Sequence, residues 1–219
     1  VIELALNLTG NGTSTSPDTH INPTSGISIN VSAENVVLSL LDIRSISGNG
    51  QDNILVNDNY CIINNCTIGE TGGYGIHLKN TYACVIDNCT ITDSQEAGLY
   101  LEDTYKTIVR KCQFFQNEIG LHLHDCYDDT IANCSIHDNS DDGAYIKDSG
   151  KIVINDCDIY NCGDYGVYAD SNSYDVDGRF NYWGHASGPG GWGPGSGSEI
   201  YHAVEYSPWL GNWVGTEPN

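Results

Sequence analysis

The sequence has few positively charged residues. It contains 8 Lys and Arg against 29 Asp and Glu, which gives a formal net charge of −21. Binding to DNA, RNA or anionic lipid requires clustered cations that neutralise phosphates, so the composition excludes these partners. The excess of carboxylates instead favours a highly soluble surface that attracts metal cations.

Long apolar runs are also missing. No stretch of 18 apolar residues occurs, so no membrane-spanning helix is predicted. No signal peptide is visible and the chain begins at Val1 rather than at Met, which predicts a processed, mature form. Six Asn-x-Ser/Thr sequons make a glycosylated, extracellular protein one prediction. They begin at Asn7, Asn11, Asn30, Asn65, Asn88 and Asn133.

The sequence does contain an internal repeat of 22 or 23 residues. Five cysteines mark it, at Cys66, Cys89, Cys112, Cys134 and Cys157. Five glycines keep the same period and open short alternating phrases, at Gly75, Gly98, Gly120, Gly143 and Gly166. Two markers that share one period over five copies predict stacked structural units. Extending the cysteine period by one step each way reaches Ile43 and Phe180.

Within each copy, apolar and polar residues alternate, which is typical of strands. Three short strands separated by turns fit a coil of this length. The sequence therefore predicts an all-β fold, a right-handed parallel β-helix of about seven coils whose two ends need caps. We divide the chain into an N-terminal strand and cap (1–25), the β-helix (26–183) and a Gly/Pro/Trp-rich C-terminal cap (184–219).

The repeated phrase, seen in Asn65-Cys66-Thr67-Ile68, resembles the parallel β-helix repeat of the NosD-like and pectate-lyase-like superfamily. The segments 181–184, 187–190 and 206–210 are similar to the end of β-helix domains in archaeal and bacterial cell-surface proteins. The resemblance covers roughly residues 26–210 and implies an extracellular or cell-surface location. It is specific for the fold, and a fold alone does not establish an activity.

Nine cysteines would normally predict disulfides in a secreted protein. Stacked Cα atoms about 4.8 Å apart are in disulfide range, but parallel side chains keep the Cβ atoms too far apart for a relaxed bond. We therefore expect columns of buried free thiols, a long one starting at Cys66 and a short one of Cys61 and Cys84. Disulfides and a metal–thiolate site, which needs four converging ligands, are the alternatives.

A column of outward side chains is the candidate ligand-binding face. It comprises His77, Tyr100, His122, Tyr145 and Tyr168. Beside it runs a column of mixed charge with Lys79, Glu102, His124, Lys147 and Asp170. Because sugar rings stack on aromatic rings, the face predicts polysaccharide binding. The alternatives are cross-strand stacking that only stabilises the sheet, and packing against another subunit.

No cofactor is expected, and a bound metal ion is an alternative at two places. His122 and His124 share a strand face with Glu102 one coil away, so the three form a possible transition-metal site. Calcium is possible at acidic loops, for which a solvated rim is the alternative. The loop residues are Asp125, Asp128 and Asp129, and Asp138, Asp141 and Asp142.

Pectate lyases and polygalacturonases share this fold, so catalysis has to be considered. Uronate lyases need a cationic base, and none of Arg44, Arg110 and Arg179 is predicted to lie with acidic residues on the aromatic face. We therefore predict a non-catalytic extracellular structural protein that builds a surface layer or filament. The alternatives are a carbohydrate-binding or adhesive module and, second, a polysaccharide lyase or hydrolase.

The N-terminal stretch predicts self-association into a homopolymer. Residues 1–9 carry four alternating apolar side chains, Ile2, Leu4, Leu6 and Leu8. Such a strand can add to the exposed sheet edge of a neighbouring chain, and end-to-end contacts of this kind do not close. A cap folded back on the first coil of its own chain is the alternative.

Overall fold

The structure, a computed structural model, describes residues 7–9, 19–21, 29–44, 50–202 and 204–214. Its strands form three parallel sheets that the chain visits in turn, which confirms the predicted parallel β-helix. Among these residues there is no helix long and apolar enough to cross a membrane.

Each sheet is built from strands of successive coils. The first sheet contains β1 (Asn7–Thr9), β4 (Val37–Ser39), β7 (Ile62–Asn64), β10 (Val85–Asp87), β13 (Ile108–Arg110), β16 (Thr130–Ala132), β19 (Val153–Asn155), β22 (Val176–Asp177) and β25 (Val204–Glu205). The second contains β2 (Thr19–Ile21), β5 (Leu41–Arg44), β8 (Thr67–Thr71), β11 (Thr90–Ser94), β14 (Gln113–Phe115), β17 (Ser135–His137) and β20 (Asp158–Tyr160). The third contains β3 (Ile29–Val31), β6 (Ile54–Val56), β9 (Ile76–Lys79), β12 (Ala97–Glu102), β15 (Ile119–His124), β18 (Ala144–Lys147), β21 (Val167–Ala169), β23 (Pro189–Gly191) and β24 (Gly197–Tyr201).

The rod has about six coils rather than the predicted seven. A seventh coil starts with β21 and β22, but it has no strand in the second sheet within the described residues, where Tyr182 forms only an isolated bridge with Asp158. Strands β23, β24 and β25 then add to the third and first sheets at this end. The division at residues 1–25, 26–183 and 184–219 stays a prediction.

The long cysteine column points into the core, as predicted, and all nine cysteines are free. Each thiol of the column donates to the carbonyl two residues earlier, as Cys66 Sγ does to Asn64 O at 3.2 Å. The residue between them is left-handed, with φ 52° at Asn65. Since Asn tolerates this conformation better than most residues, the turn explains the repeated Asn-Cys phrase.

The cysteine column ends differently from the prediction. It continues into Leu41 and Asn181, because the spacing lengthens to 25 and 24 residues at the two ends. Asn181 is buried and its Oδ1 accepts a hydrogen bond from the Cys157 amide at 2.9 Å. Ile43 is instead in the neighbouring inward column with Ile68, and Phe180 is exposed at a turn.

The predicted assembly strand is only partly described. Ile2, Leu4 and Leu6 lie outside the described residues, as does the sequon residue Asn11. The backbone of β1, which includes Asn7 and Leu8, pairs in parallel with β4 of the same chain. This pairing is the arrangement of the capping alternative, and self-association stays a prediction. Four sequon residues are exposed, and their glycosylation also stays a prediction: Asn30, Asn65, Asn88 and Asn133.

Candidate functional site

The predicted outward column forms a continuous ladder of rings on the third sheet, the aromatic ladder. Consecutive ring centroids are 4.7 to 5.2 Å apart. Its members are His77, Tyr100, His122, Tyr145, Tyr168 and Tyr201. Sequence reasoning missed Tyr201 because it follows an insertion that breaks the repeat. The indole of Trp192 lies 5.3 Å from Tyr201 and extends the ring surface at this end.

The ladder rings cover one another and present mainly their edges to solvent. His77 and Tyr100 are only 8% and 9% exposed, while His122, Tyr145 and Tyr168 are partly exposed. Face stacking on a sugar suits the 61% exposed Trp192 better than the ladder rings. The partly exposed ladder residues instead carry phenol and imidazole groups, which are able to form hydrogen bonds with hydroxyl groups.

One end of the ladder is held by carboxylates. His77 lies between two of them, with Nδ1 3.1 Å from Asp52 Oδ2 and Nε2 3.0 Å from Glu102 Oε2. Lys79 also pairs with Glu102, at 2.9 Å. Burial favours the neutral form of Glu102, but hydrogen bonds from Lys79 and His77 outweigh burial and lower the pKa of this carboxyl. These contacts fix the ladder's edge at β9 and β12.

A second cluster, the polar centre, lies near the middle of the ladder and consists of Tyr100, His124, Asp125 and Asp148. His124 Nδ1 is 3.3 Å from the Tyr100 hydroxyl. Its Nε2 lies 3.4 Å from Asp125 Oδ2 and 3.8 Å from Asp148 Oδ2. Burial, followed by the negative charge of Glu102, raises the pKa of Tyr100 to about 12, so this phenol stays protonated at neutral pH.

The left-handed turns after β15 and β18 produce the polar centre. Asp125 and Asp148 follow these strands at φ 54° and 50°, which swings their carboxylates toward His124 at the end of β15. Asn172 Nδ2 donates to Asp148 Oδ1 at 2.7 Å and leaves Oδ2 facing the imidazole. The sequence signal was the Asp that directly follows three successive strands of this sheet, β12, β15 and β18. Sequence reasoning assigns Asp125 to a solvated rim or a calcium loop.

The predicted metal set of His122, His124 and Glu102 does not converge. Glu102 turns to His77 and Lys79, and the two imidazole centroids are 6.4 Å apart. Burial, with the positive charges of His124 and Lys147, lowers the pKa of His122 to about 4. His122 is therefore neutral at pH 7, and its buried Nε2 has no hydrogen-bond partner among the described residues. The position of this ring is explained by its stacking between Tyr100 and Tyr145.

The two acidic loop trios are also split by the fold. Asp129 and Asp142 are buried, whereas Asp125, Asp138 and Asp141 lie at the surface or partly exposed. Asp129 accepts hydrogen bonds from the Thr104 hydroxyl and the Thr107 amide, so it belongs to the interior. Calcium binding by other acidic groups stays a prediction.

Comparison with known proteins decides the family. A family model described as "Right handed beta helix region" matches residues 25–181. The chain belongs to the right-handed beta helix family. Comparison with curated proteins gives no match.

Three solved structures with similar folds are all β-helix proteins. The periplasmic alginate epimerase AlgG is 18% identical, with a TM-score of 0.62 over 81% of this chain and 46% of the epimerase. The enzymatically active domain of tailspike protein 2 from bacteriophage CBA120 is 13% identical, with a TM-score of 0.60 over 93% of this chain and 46% of that domain. Pectate lyase Pel9A is 12% identical, with a TM-score of 0.55 over 94% of this chain and 78% of the lyase. The chain thus spans about half the length of the first two.

The comparisons correct one prediction. The chain was predicted to be non-catalytic, but the similar structures are an epimerase, a lyase and an enzymatically active tailspike domain. The prediction was wrong because it relied on the lack of an arginine base on the aromatic face. All three arginines do pair with acids away from the ladder, Arg44 with Asp42 and Glu70, Arg110 with Asp87, and Arg179 with Asp177. The polar centre contains no arginine and lies at the short turns after β15 and β18.

Proposed function

We propose that the chain is a polysaccharide-acting enzyme whose substrate lies along the aromatic ladder and reacts at the polar centre. One observation carries the proposal: the cluster of His124, Asp125 and Asp148 lies at the ends of the third and fourth of the six strands that bear the ladder, β15 and β18. Binding surface and reactive groups therefore lie on one face of one sheet. The similar structures named above, two of which act on polysaccharides by their descriptions, support the same class.

The ladder suits a polymer rather than a small molecule. Its six rings span five strand spacings of about 4.8 Å, or roughly 24 Å, along the open side of the rod. Hydroxyls of Tyr145 and Tyr168 line the half beyond the polar centre. A sugar chain laid along the rod meets a new strand, and a new hydrogen-bonding group, at each step.

The polar centre suits proton transfer better than inverting hydrolysis. A ring nitrogen of His124 and one carboxylate oxygen each of Asp125 and Asp148 all lie within 4.8 Å of one another. An inverting glycosidase needs carboxyl groups about 6.5–9.5 Å apart, with room for a water molecule between them. The protonated phenol of Tyr100, beside an imidazole and two carboxylates, instead places groups for proton transfer near one sugar carbon, the requirement for elimination or epimerisation.

We place the protein outside the cytoplasm, at the cell surface or in the extracellular space. The carboxylate-rich composition and the exposed sequon residues support this location, and one similar structure is described as periplasmic. Polysaccharide is the proposed partner there. A second copy of the chain, joined through residues 1–9, is a separate proposal that the catalytic one does not require.

Turnover tests the function. The chain is incubated with uronate-containing and neutral polysaccharides in deuterated water. NMR follows hydrogen exchange at the sugar, and ultraviolet absorbance follows unsaturated product. We expect exchange or elimination with the wild-type chain and a loss of about 10²–10⁴-fold in rate for His124→Gln.

The matched control is His137→Gln, because His137 is stacked on the second sheet between Phe115 and Tyr160, away from the ladder. Its rate should match that of the wild type. A wild-type chain that neither binds nor alters any polysaccharide of the set contradicts the proposal. So does a His124→Gln chain that retains the full rate.

A further inference from the structure

The polar centre has the composition and spacing of a metal site. We propose that it binds one first-row divalent metal ion of the zinc class, through His124 Nε2, Asp125 Oδ2 and Asp148 Oδ2. Only His124 is shared with the set predicted from the sequence, which consists of His122, His124 and Glu102. The proposal rests on the proposed function only for the ion's role, because metal binding is measured without any substrate.

The distances match a tetrahedral ion. Zinc holds nitrogen and carboxylate oxygen ligands at about 2.0–2.2 Å, so two tetrahedral ligands lie about 3.4 Å apart. His124 Nε2 is 3.4 Å from Asp125 Oδ2 and 3.8 Å from Asp148 Oδ2. The two carboxylates also lie within 4.8 Å of each other. An ion between the three atoms requires only small movements of side chains.

Residues outside the ligand set orient two of the three ligands. The hydroxyl of Tyr100 contacts His124 Nδ1, and Asn172 donates to Asp148 Oδ1. Both contacts direct the remaining atom of the ligand, Nε2 or Oδ2, toward the same point. Metal-binding histidines and carboxylates usually have such partners, which fix the ring orientation and the free lone pair.

The donor set favours zinc-class ions over calcium. Calcium takes six to eight oxygen ligands, whereas this cluster offers two carboxylates and one imidazole nitrogen. Imidazole with carboxylate suits zinc and its neighbours in the first row. Three protein ligands leave a fourth position for water or a substrate oxygen, the arrangement of catalytic rather than structural zinc sites. Asp125 has a 53% exposed side chain, so solvent reaches the cluster.

Calorimetric titration with Zn²⁺ tests the site on untagged protein. All samples carry Cys162→Ser, since the other eight cysteines are buried and Cys162 is the partly exposed thiol. We expect one Zn²⁺ per chain, with affinity reduced at least about 100-fold in His124→Gln and in Asp148→Asn. The orienting variant Asn172→Ala should lose about tenfold. Co²⁺ in place of Zn²⁺ should give the visible absorption of a tetrahedral site without sulfur-to-metal bands.

The matched control is Asp103→Asn. Asp103 occupies the same left-handed turn position one coil earlier, with φ 53° and an exposed side chain, and its removal should leave Zn²⁺ affinity unchanged. The proposal is overturned by absent binding, by equal binding in all variants, by cobalt–thiolate absorption, or by Ca²⁺ binding at the centre as tightly as Zn²⁺. A chain that binds Zn²⁺ but alters no polysaccharide contradicts the proposed function alone. A chain that turns over polysaccharide but fails to bind Zn²⁺ in the titration contradicts the metal site alone.

Discussion

At the scale of single residues, left-handed turns set the spacing of the coils. The residue before each cysteine of the long column has φ between 52° and 55°, and it is Asn, Lys or Asp. These residues are Asn65, Asn88, Lys111, Asn133 and Asp156. The left-handed conformation costs most residues about 1–2 kcal/mol, and Asn and Asp reduce that cost by local hydrogen bonds. The many Asn and Asp residues of this chain are therefore part of the fold.

Gly120 offers a test of close packing between coils. A Cβ atom at this position would lie 2.5 Å from the carbonyl oxygen of Gly143 and 2.9 Å from Asn139 Nδ2. Gly120→Ala should therefore lower the free energy of unfolding by about 1–3 kcal/mol, measured by urea denaturation. Gly211→Ala is the control, because its Cβ meets nothing within 4 Å, and its effect should stay within about 0.5 kcal/mol. Equal changes in the free energy of unfolding for the two variants would contradict close packing at the glycine column.

At the scale of elements, buried polar groups join the turn of one coil to the next strand. Asp129, just before β16, accepts the Thr104 hydroxyl and the Thr107 amide from the turn between β12 and β13. It is fully buried, and burial raises its pKa to about 6. Because the folded state binds this proton more tightly than the unfolded chain, the contribution of Asp129 to stability falls as pH rises from about 4 to 6.

Asp129→Asn should remove that part of the pH dependence. Because the pKa of Asp129 is raised, its ionisation lowers the free energy of unfolding of the wild type by roughly 2–3 kcal/mol between pH 4 and pH 7. Asp142 adds a change of the same sign, since burial raises its pKa to about 7, so the difference between variant and wild type isolates Asp129. Urea denaturation at several pH values measures it. The control is Asp156→Asn, because Asp156 is exposed. If the free energy of unfolding of Asp129→Asn changed with pH in parallel with that of the wild type, the role of Asp129 would be contradicted.

At the scale of the whole molecule, the ends of the rod decide how it associates. β1 pairs with β4 along Asn7 to Thr9, so the first sheet of this chain is covered at one end by its own N-terminal segment. With a net charge of −21, neighbouring rods also repel one another at low salt. Both features favour a capped rod, and polymerisation through the same segment is the competing prediction.

Deletion of residues 1–9 separates the two arrangements. A cap predicts that the intact chain sediments as a monomer and that the shortened chain remains folded but melts at a lower temperature, because β4 loses its edge partner. Strand exchange predicts fibres or oligomers of the intact chain that vanish on deletion. Removal of residues 215–219 is the control for shortening as such. Sedimentation velocity and thermal melting, both at several salt concentrations, measure the outcome.

The sequence by itself determined the solenoid, the inward cysteines and the outward ring column, because a constant period decides which residues stack. Only the tertiary structure decided the ends of the cysteine column, where one or two extra residues shift the register to Leu41 and Asn181. It also decided the partners of the acids. Glu102 turns to His77, Asp129 turns inward, and Asp148 turns to His124. Such choices depend on side-chain torsions and competing hydrogen bonds between coils, which a repeat period does not encode.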